Sequence, residues 1–280
     1  MANRFWVAGT ETWNSTAGAK WGTLSGIADS ASLPGTGDVA IFDALSGGGT
    51  VTVDSPNGAG VVTVQQITMG LFTGTLDFAT NDNNVTLSVA FSGTGTGTRT
   101  LNMGDGTWTL SGGSGTIWDC TTITNLTFNA NSSRLLIQAA SAPSAQRFVS
   151  LGALSYNIIE INDPADPSLN PLATGGAATI ATLILTNAPY LQFAGGVTTT
   201  ITNGFSWNRS SSAPALLQSQ SVNSGFTLSV GGAVTMDWVA IQNCTKAGAG
   251  SIIATNSFNL GGNTNVTITS PSGGARIVSG

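Results

Sequence analysis

Histidine is absent from the 280 residues, and cysteine occurs only at Cys120 and Cys244. Without an imidazole the chain has no His-ligated zinc site and no Ser-His-Asp or Cys-His pair. Charge is nearly as scarce. Lys and Arg total 8 and Asp and Glu 13, so 8% of residues are charged, against about 25% in an ordinary soluble domain. An amphipathic helix needs a polar face, usually of Glu and Lys, and there is too little of either for even a few helices. Binding nucleic acid through its phosphates needs clustered basic side chains. Arg4, Lys20, Arg99, Arg134, Arg147, Arg209, Lys246 and Arg276 stand singly, so no nucleic-acid partner is expected. No stretch approaches the roughly 18 apolar residues of a membrane-spanning helix, so no membrane partner is expected. The opening Met-Ala-Asn-Arg-Phe-Trp-Val-Ala-Gly has no apolar stretch of the secretory kind. The two cysteines lie outside any CxxC motif and read as buried free thiols in preference to a disulfide, because a chain of this length needs no staple.

Hydrophobic residues still make up 41% of the chain, and a net charge of only −5 is not the signature of disorder. Thr, Ser, Asn and Gly fill the gaps between apolar residues. Thr50-Val51-Thr52-Val53, Asn84-Val85-Thr86-Leu87, Asn125-Leu126-Thr127-Phe128 and Asn265-Val266-Thr267-Ile268 each alternate an apolar with a hydroxyl or amide side chain. Such alternation describes a half-buried strand. The clusters Gly93–Gly97 and Ser111–Gly115 read as turns between strands. Asn125-Leu126-Thr127 also matches a glycosylation sequon, which follows from the Asn and Thr content alone.

The strands recur. Leu76, Leu101 and Leu126 are spaced by 25 residues, as are Ile158 and Leu183, while Val234 and Phe258 are 24 apart. A period of this length holding two or three strands predicts a solenoid, here an all-β parallel β-helix with coils of about 25 residues. About eight coils rising by about 4.8 Å each would give a rod of roughly 40 Å. Stacking also explains the missing charges, since like charges directly above one another repel. A β-sandwich, or two of them, is the alternative. The period predicts one interior row of Leu76, Leu101 and Leu126, a second of Phe78, Met103 and Phe128, and an outward row of Asp77, Asn102 and Thr127. Residues 1–45 differ and read as a cap or attachment segment, followed by a β-helical domain over 46–280 with an irregular insertion at 141–173 that contains Asp163-Pro164-Ala165-Asp166-Pro167. A solenoid end needs such a cap. Phe5, Trp6, Trp13 and Trp21 are the candidates for it, or for contact with a partner.

Candidate chemistry is thin. Glycoside cleavage needs two carboxylates about 5–10 Å apart. Asp77 and Asp82 flank one turn, Asp105 falls one coil later, and Asp119 and Asp237 each adjoin a Trp. In register Asp77 lies under Asn102, not under another acid, and an acid in an Asn/Thr turn is ordinarily an Asx-turn residue. Asp163 and Asp166 are the nearest approach to a Ca²⁺ site but lack any known loop spacing, and a Pro-rich turn is preferred. The reading is of a protein that is not an enzyme, with no catalytic residue, no metal and no cofactor.

Asn3-Arg4-Phe5-Trp6-Val7, Thr12-Trp13-Asn14, Trp21 and Pro34-Gly35-Thr36-Gly37-Asp38-Val39-Ala40-Ile41-Phe42-Asp43 are similar to the opening of autotransporter passenger repeats. They resemble more closely a group of Gly/Thr-rich proteins from bacteriophages and marine bacteria. Val234–Asn243 and Ala254–Asn263 resemble the end of those phage proteins. The resemblance touches both ends and matches the middle only in style. It implies a β-helical virion surface protein: a capsid decoration (cement) protein that binds and stabilises the shell or, alternatively, a tail fibre or tailspike that binds or cleaves host surface polysaccharide. No helical or coiled-coil attachment segment of the long-fibre kind precedes the β region. The implied partners are the major capsid protein or another virion protein, with self-association as a homotrimer or homodimer. The expected location is the virion, after synthesis in the host cytoplasm, since release by lysis needs no signal.

Overall fold

A computed structural model describes residues 2–13, 20–29, 31–54, 60–138, 147–162, 177–221 and 223–272. About half of the expected irregular insertion at 141–173, with Asp163 and Asp166, lies outside the described residues, as does Arg276, while its described part forms the regular strands Arg147–Ser150 and Ser155–Asn162. The fold is all-β, with no helix among the described residues, and its strands stack in parallel into a solenoid of about 7 turns with about 25 residues per coil. The solenoid reading holds, and the sandwich alternative does not.

One long sheet runs the length of the molecule. It begins at Ala2–Trp6 and passes through Asp38–Ile41, Val61–Thr68, Asn84–Ser92, Thr107–Leu110, Arg134–Gln138, Ser155–Asn162 and Thr179–Leu185 to Cys244–Ala247. Asn84–Ser92 is long enough to feed two successors. Its first half is followed by Thr107–Leu110, and its second half by Gly115–Asp119 and then Arg147–Ser150. The Ser111–Ser114 turn makes the split. A second sheet, Glu11–Trp13, Thr50–Val53, Thr75–Asp77, Arg99–Asn102 and Leu126–Asn129, forms another wall of the first coils. It stops there. Two new sheets starting at Tyr190–Phe193 and Ser206–Asn208 complete the C-terminal coils.

Register follows alternation, but not everywhere the 25-residue count. Val51 faces Leu76, Leu76 faces Leu101, and Leu101 faces Phe128. The expected row of leucines is therefore correct at its first step and wrong at its second: Leu126 faces Arg99. Outside, Asp77 and Asn102 pair as expected, and Asn129, not Thr127, comes next. The amides bind along the row, Asn102 Nδ2 donating to Asp77 Oδ1 at 3.3 Å and Asn129 Nδ2 to Asn102 Oδ1 at 2.7 Å. Phe78 and Met103 follow these residues in register, and Phe128 belongs to the other interior row. The cause is Arg99. Its side chain has the inward parity of Leu101 and is 1% exposed. The corner leading to Leu126 wraps its guanidinium, which Thr122 O and Thr124 O accept at 3.2 and 3.0 Å, and this coil takes two extra residues.

Coil length changes elsewhere too. Ile159, not Ile158, faces Leu183. Near the C-terminus the coil contracts: Phe226 faces Cys244 and Val234 faces Ile252, 18 residues on, so Val234 and Phe258 lie on different sheets. Tight corners use residues that tolerate a left-handed backbone. Asn125, Asn131, Asn243, Asn256 and Asn265 all have φ between 45° and 59°. At the corner where Gly95 (φ 153°) passes Gly70, a Cβ on Gly95 would lie 1.9 Å from the Gly70 carbonyl oxygen, so no larger residue fits.

Candidate functional site

The N-terminal end is closed by its own aromatic residues. Trp21–Gly22 pairs antiparallel with the outer edge of Ala2–Trp6, Trp6 facing Trp21. This covers the first edge of the long sheet, which would otherwise be open to pairing. The indoles of Trp6, Trp13 and Trp21 are 0–2% exposed. Trp21 meets Trp6 and Trp13 edge-on, at 5.1 and 5.0 Å between centroids, and Phe42 lies 5.6 Å from Trp13. Of the four aromatic candidates only Phe5, which is half-buried, keeps surface for a partner.

Beside this closure lies an apolar corner that the sequence does not announce. Leu24, Ile27, Leu45 and Leu71 are 51–63% exposed, four of the seven large apolar side chains left exposed among the described residues. The turn carrying Leu24 and Ile27 sits on Leu45: a Cβ on Gly26 would meet Leu45 Cδ1 at 2.9 Å. Ser25 Oγ anchors the same turn on Asp43 Oδ2 at 2.6 Å. Leu45 and Leu71 occupy the same corner in successive coils, between the long and second sheets. Their adjacency comes from the stacking of coils, which no local pattern reveals.

The acids are engaged in holding turns and rows. Asp77 accepts from Thr80 Oγ1 at 2.6 Å and from the Ala79 amide at 3.0 Å. Asp82 Oδ1 accepts the Asp105 amide, and Asp105 Oδ1 the Ser132 amide, each binding one coil to the next. Asp119 accepts from the amide and hydroxyl of Thr121, and the adjoining Trp118 ring is fully buried and unavailable to a sugar. Asp237 accepts from Thr255 Oγ1 at 3.0 Å and Asn256 Nδ2 at 2.8 Å. Among the described residues no three acidic or cysteine side chains come together. Sequence reasoning missed the ion pair of the partly exposed Arg134 with the buried Glu160, which also accepts from Thr186 Oγ1 at 3.1 Å.

Cys120 and Cys244 are both free and buried. Burial pushes each thiol up to about 12, so neither forms the reactive thiolate near neutral pH. Iodoacetamide at pH 8 is expected to leave both unmodified in the folded protein and to alkylate both after unfolding in guanidinium chloride. Mass spectrometry of the two samples checks this, and alkylation of the native chain would contradict the buried placement.

A second feature appears where the second sheet stops. Phe128, Asn129, Ala130, Asn131, Ser155, Tyr156 and Asn157 line an open notch of about 510 Å³. The Phe128 and Tyr156 rings are 5.0 Å apart. Tyr156 is fixed in place: its hydroxyl donates to Leu151 O at 2.8 Å and accepts from Trp118 Nε1 at 3.0 Å. Burial drives its pKa well up. No lining residue carries a charged side chain. Comparison with protein-family models, with curated proteins and with solved structures returns no match.

Proposed function

We propose that this chain is a structural protein of a bacteriophage virion, a decoration protein that clamps the outer capsid shell by burying surface and performs no chemistry. The apolar corner of Leu24, Ile27, Leu45 and Leu71 beside the closed N-terminal end carries this reading. Exposed aliphatic side chains gathered at one place mark a surface meant for a protein partner. The terminal segments Asn3–Val7, Pro34–Asp43 and Val234–Asn243, which resemble phage surface proteins, support the same reading. A stack of rungs joined by backbone and amide ladders suits a part that must stay rigid. Assembly as a closed homotrimer or homodimer at a symmetry position of the shell belongs to the proposal.

The test is rebinding to heads that lack the protein. The double variant Leu45→Asp/Leu71→Asp is expected to keep the wild-type unfolding temperature, because both positions are more than half exposed. It should lose at least tenfold in copies bound per head, counted by quantitative gel densitometry. Mass photometry of the free protein reads the oligomer. Undiminished binding of a folded double variant would remove this corner as the docking surface.

A further inference from the structure

We infer that the open edge of Leu126–Asn129 is a docking site for an extended, uncharged peptide strand of a partner protein, which adds in register as the next rung of the second sheet. Leu126–Asn129 is the last strand of that sheet, and no strand among the described residues pairs with its outer edge. Asn125 O and Asn129 O accept the amides of Arg99 and Met103 in the previous coil. Along a parallel strand, successive residues turn their N–H and C=O groups to opposite sides. Residues 125, 127 and 129 thus bind backward, while the Leu126 carbonyl and both backbone groups of Phe128 face outward. That places acceptor, donor and acceptor at the spacing a strand recognises.

The side chains say the same. In the two preceding coils the interior positions Leu76, Arg99 and Leu101 are 0–1% exposed. Leu126 and Phe128 point inward at those positions and are only partly buried, as is Ile123 beside them. Among the described residues the outer amide row also ends here, on Asn129, which donates backward to Asn102. A strand with apolar side chains at the two inward positions and Asn, Ser or Thr between them would complete the core rows and prolong the amide row. The neutral lining of the adjoining notch favours an uncharged segment, since a buried charge would find no partner there.

The probe is a blocked, fluorescent heptapeptide of sequence Thr-Asn-Leu-Thr-Phe-Asn-Ala, which has the required pattern. It is expected to bind the full chain saturably by fluorescence anisotropy and to slow hydrogen exchange of the Phe128 amide. Methylating the peptide's alternate backbone nitrogens should weaken binding at least tenfold. The variant Phe128→Pro, which removes an outward N–H at a tolerated edge position, should do the same while circular dichroism shows the fold retained. Three outcomes would overturn the proposal. These are protection of the Phe128 amide in the free protein at every concentration, protection that rises with protein concentration and so marks a second copy as occupant, and peptide binding indifferent to methylation.

Discussion

Replacing Arg99 with methionine is expected to lower the thermal midpoint by about 10 °C, although the new side chain is of similar length and is just as enclosed in the core. The guanidinium is enclosed, and burial lowers its pKa from the ordinary value. It donates to Gly93 O at 3.1 Å, Gly97 O at 2.8 Å, Thr124 O at 3.0 Å and Thr122 O at 3.2 Å. Methionine would take that donor from all four carbonyls, of which Thr122 O still accepts the Gly95 amide at 3.0 Å. Losing the charge recovers part of its desolvation cost, while each buried carbonyl left unsatisfied costs about 1–3 kcal/mol, for a net loss of about 3–5 kcal/mol. In a chain of this size each kcal/mol moves the midpoint by about 2–4 °C. Arg99→Lys, which keeps the charge but not the planar fork, should fall between the two. Differential scanning calorimetry of the three proteins decides the matter, and an unchanged midpoint for Arg99→Met would mean that the corner does not depend on the guanidinium.

The second large effect is a contrast between neighbouring residues. Leu101 is fully buried between Leu76 and Phe128, so Leu101→Asp would place an unpaired carboxylate in the core, at a cost of several kcal/mol. Measured against the 5–15 kcal/mol of a typical folded protein, this is expected to abolish the cooperative unfolding transition or shift it by more than about 15 °C. Asn102→Asp, one residue along on the opposite face, sets a carboxylate beside Asp77. Asp77 is largely covered, so the repulsion lies between the about 1 kcal/mol of bulk water and the about 4 kcal/mol of a protein surface, and the loss should narrow in about 1 M salt. Urea melts with and without salt test both variants. Equal destabilisation would show that the two side chains do not face opposite ways.

Much of this arrangement was legible before any coordinates. Alternation in Thr50–Val53 and Arg99–Asn102 fixes which side chains turn inward, and it already puts Arg99 on the same face as Leu101. The reading went astray by trusting a count of leucines. Identical residues 25 apart mark a rung only while the corners keep their length, and the corner around Arg99 takes two more residues. The 18-residue coil at the C-terminus defeated the count for the same reason, because Val234 and Phe258 happen to be about one standard coil apart. The surfaces were the least legible part. Leu24, Ile27, Leu45 and Leu71 are ordinary aliphatic residues in sequence and become a patch only when successive coils stack. The open edge at Leu126–Asn129 follows from where the second sheet stops. Within Leu126–Asn129 the alternation reads like that of any earlier rung.

Cryo-electron microscopy of particles that carry this chain tests the functional account most directly. The account predicts rods on the outer shell at symmetry positions, each with the corner of Leu24, Ile27, Leu45 and Leu71 pressed against a capsid subunit. Density found only on the tail, or particles that lack the protein altogether, would contradict it.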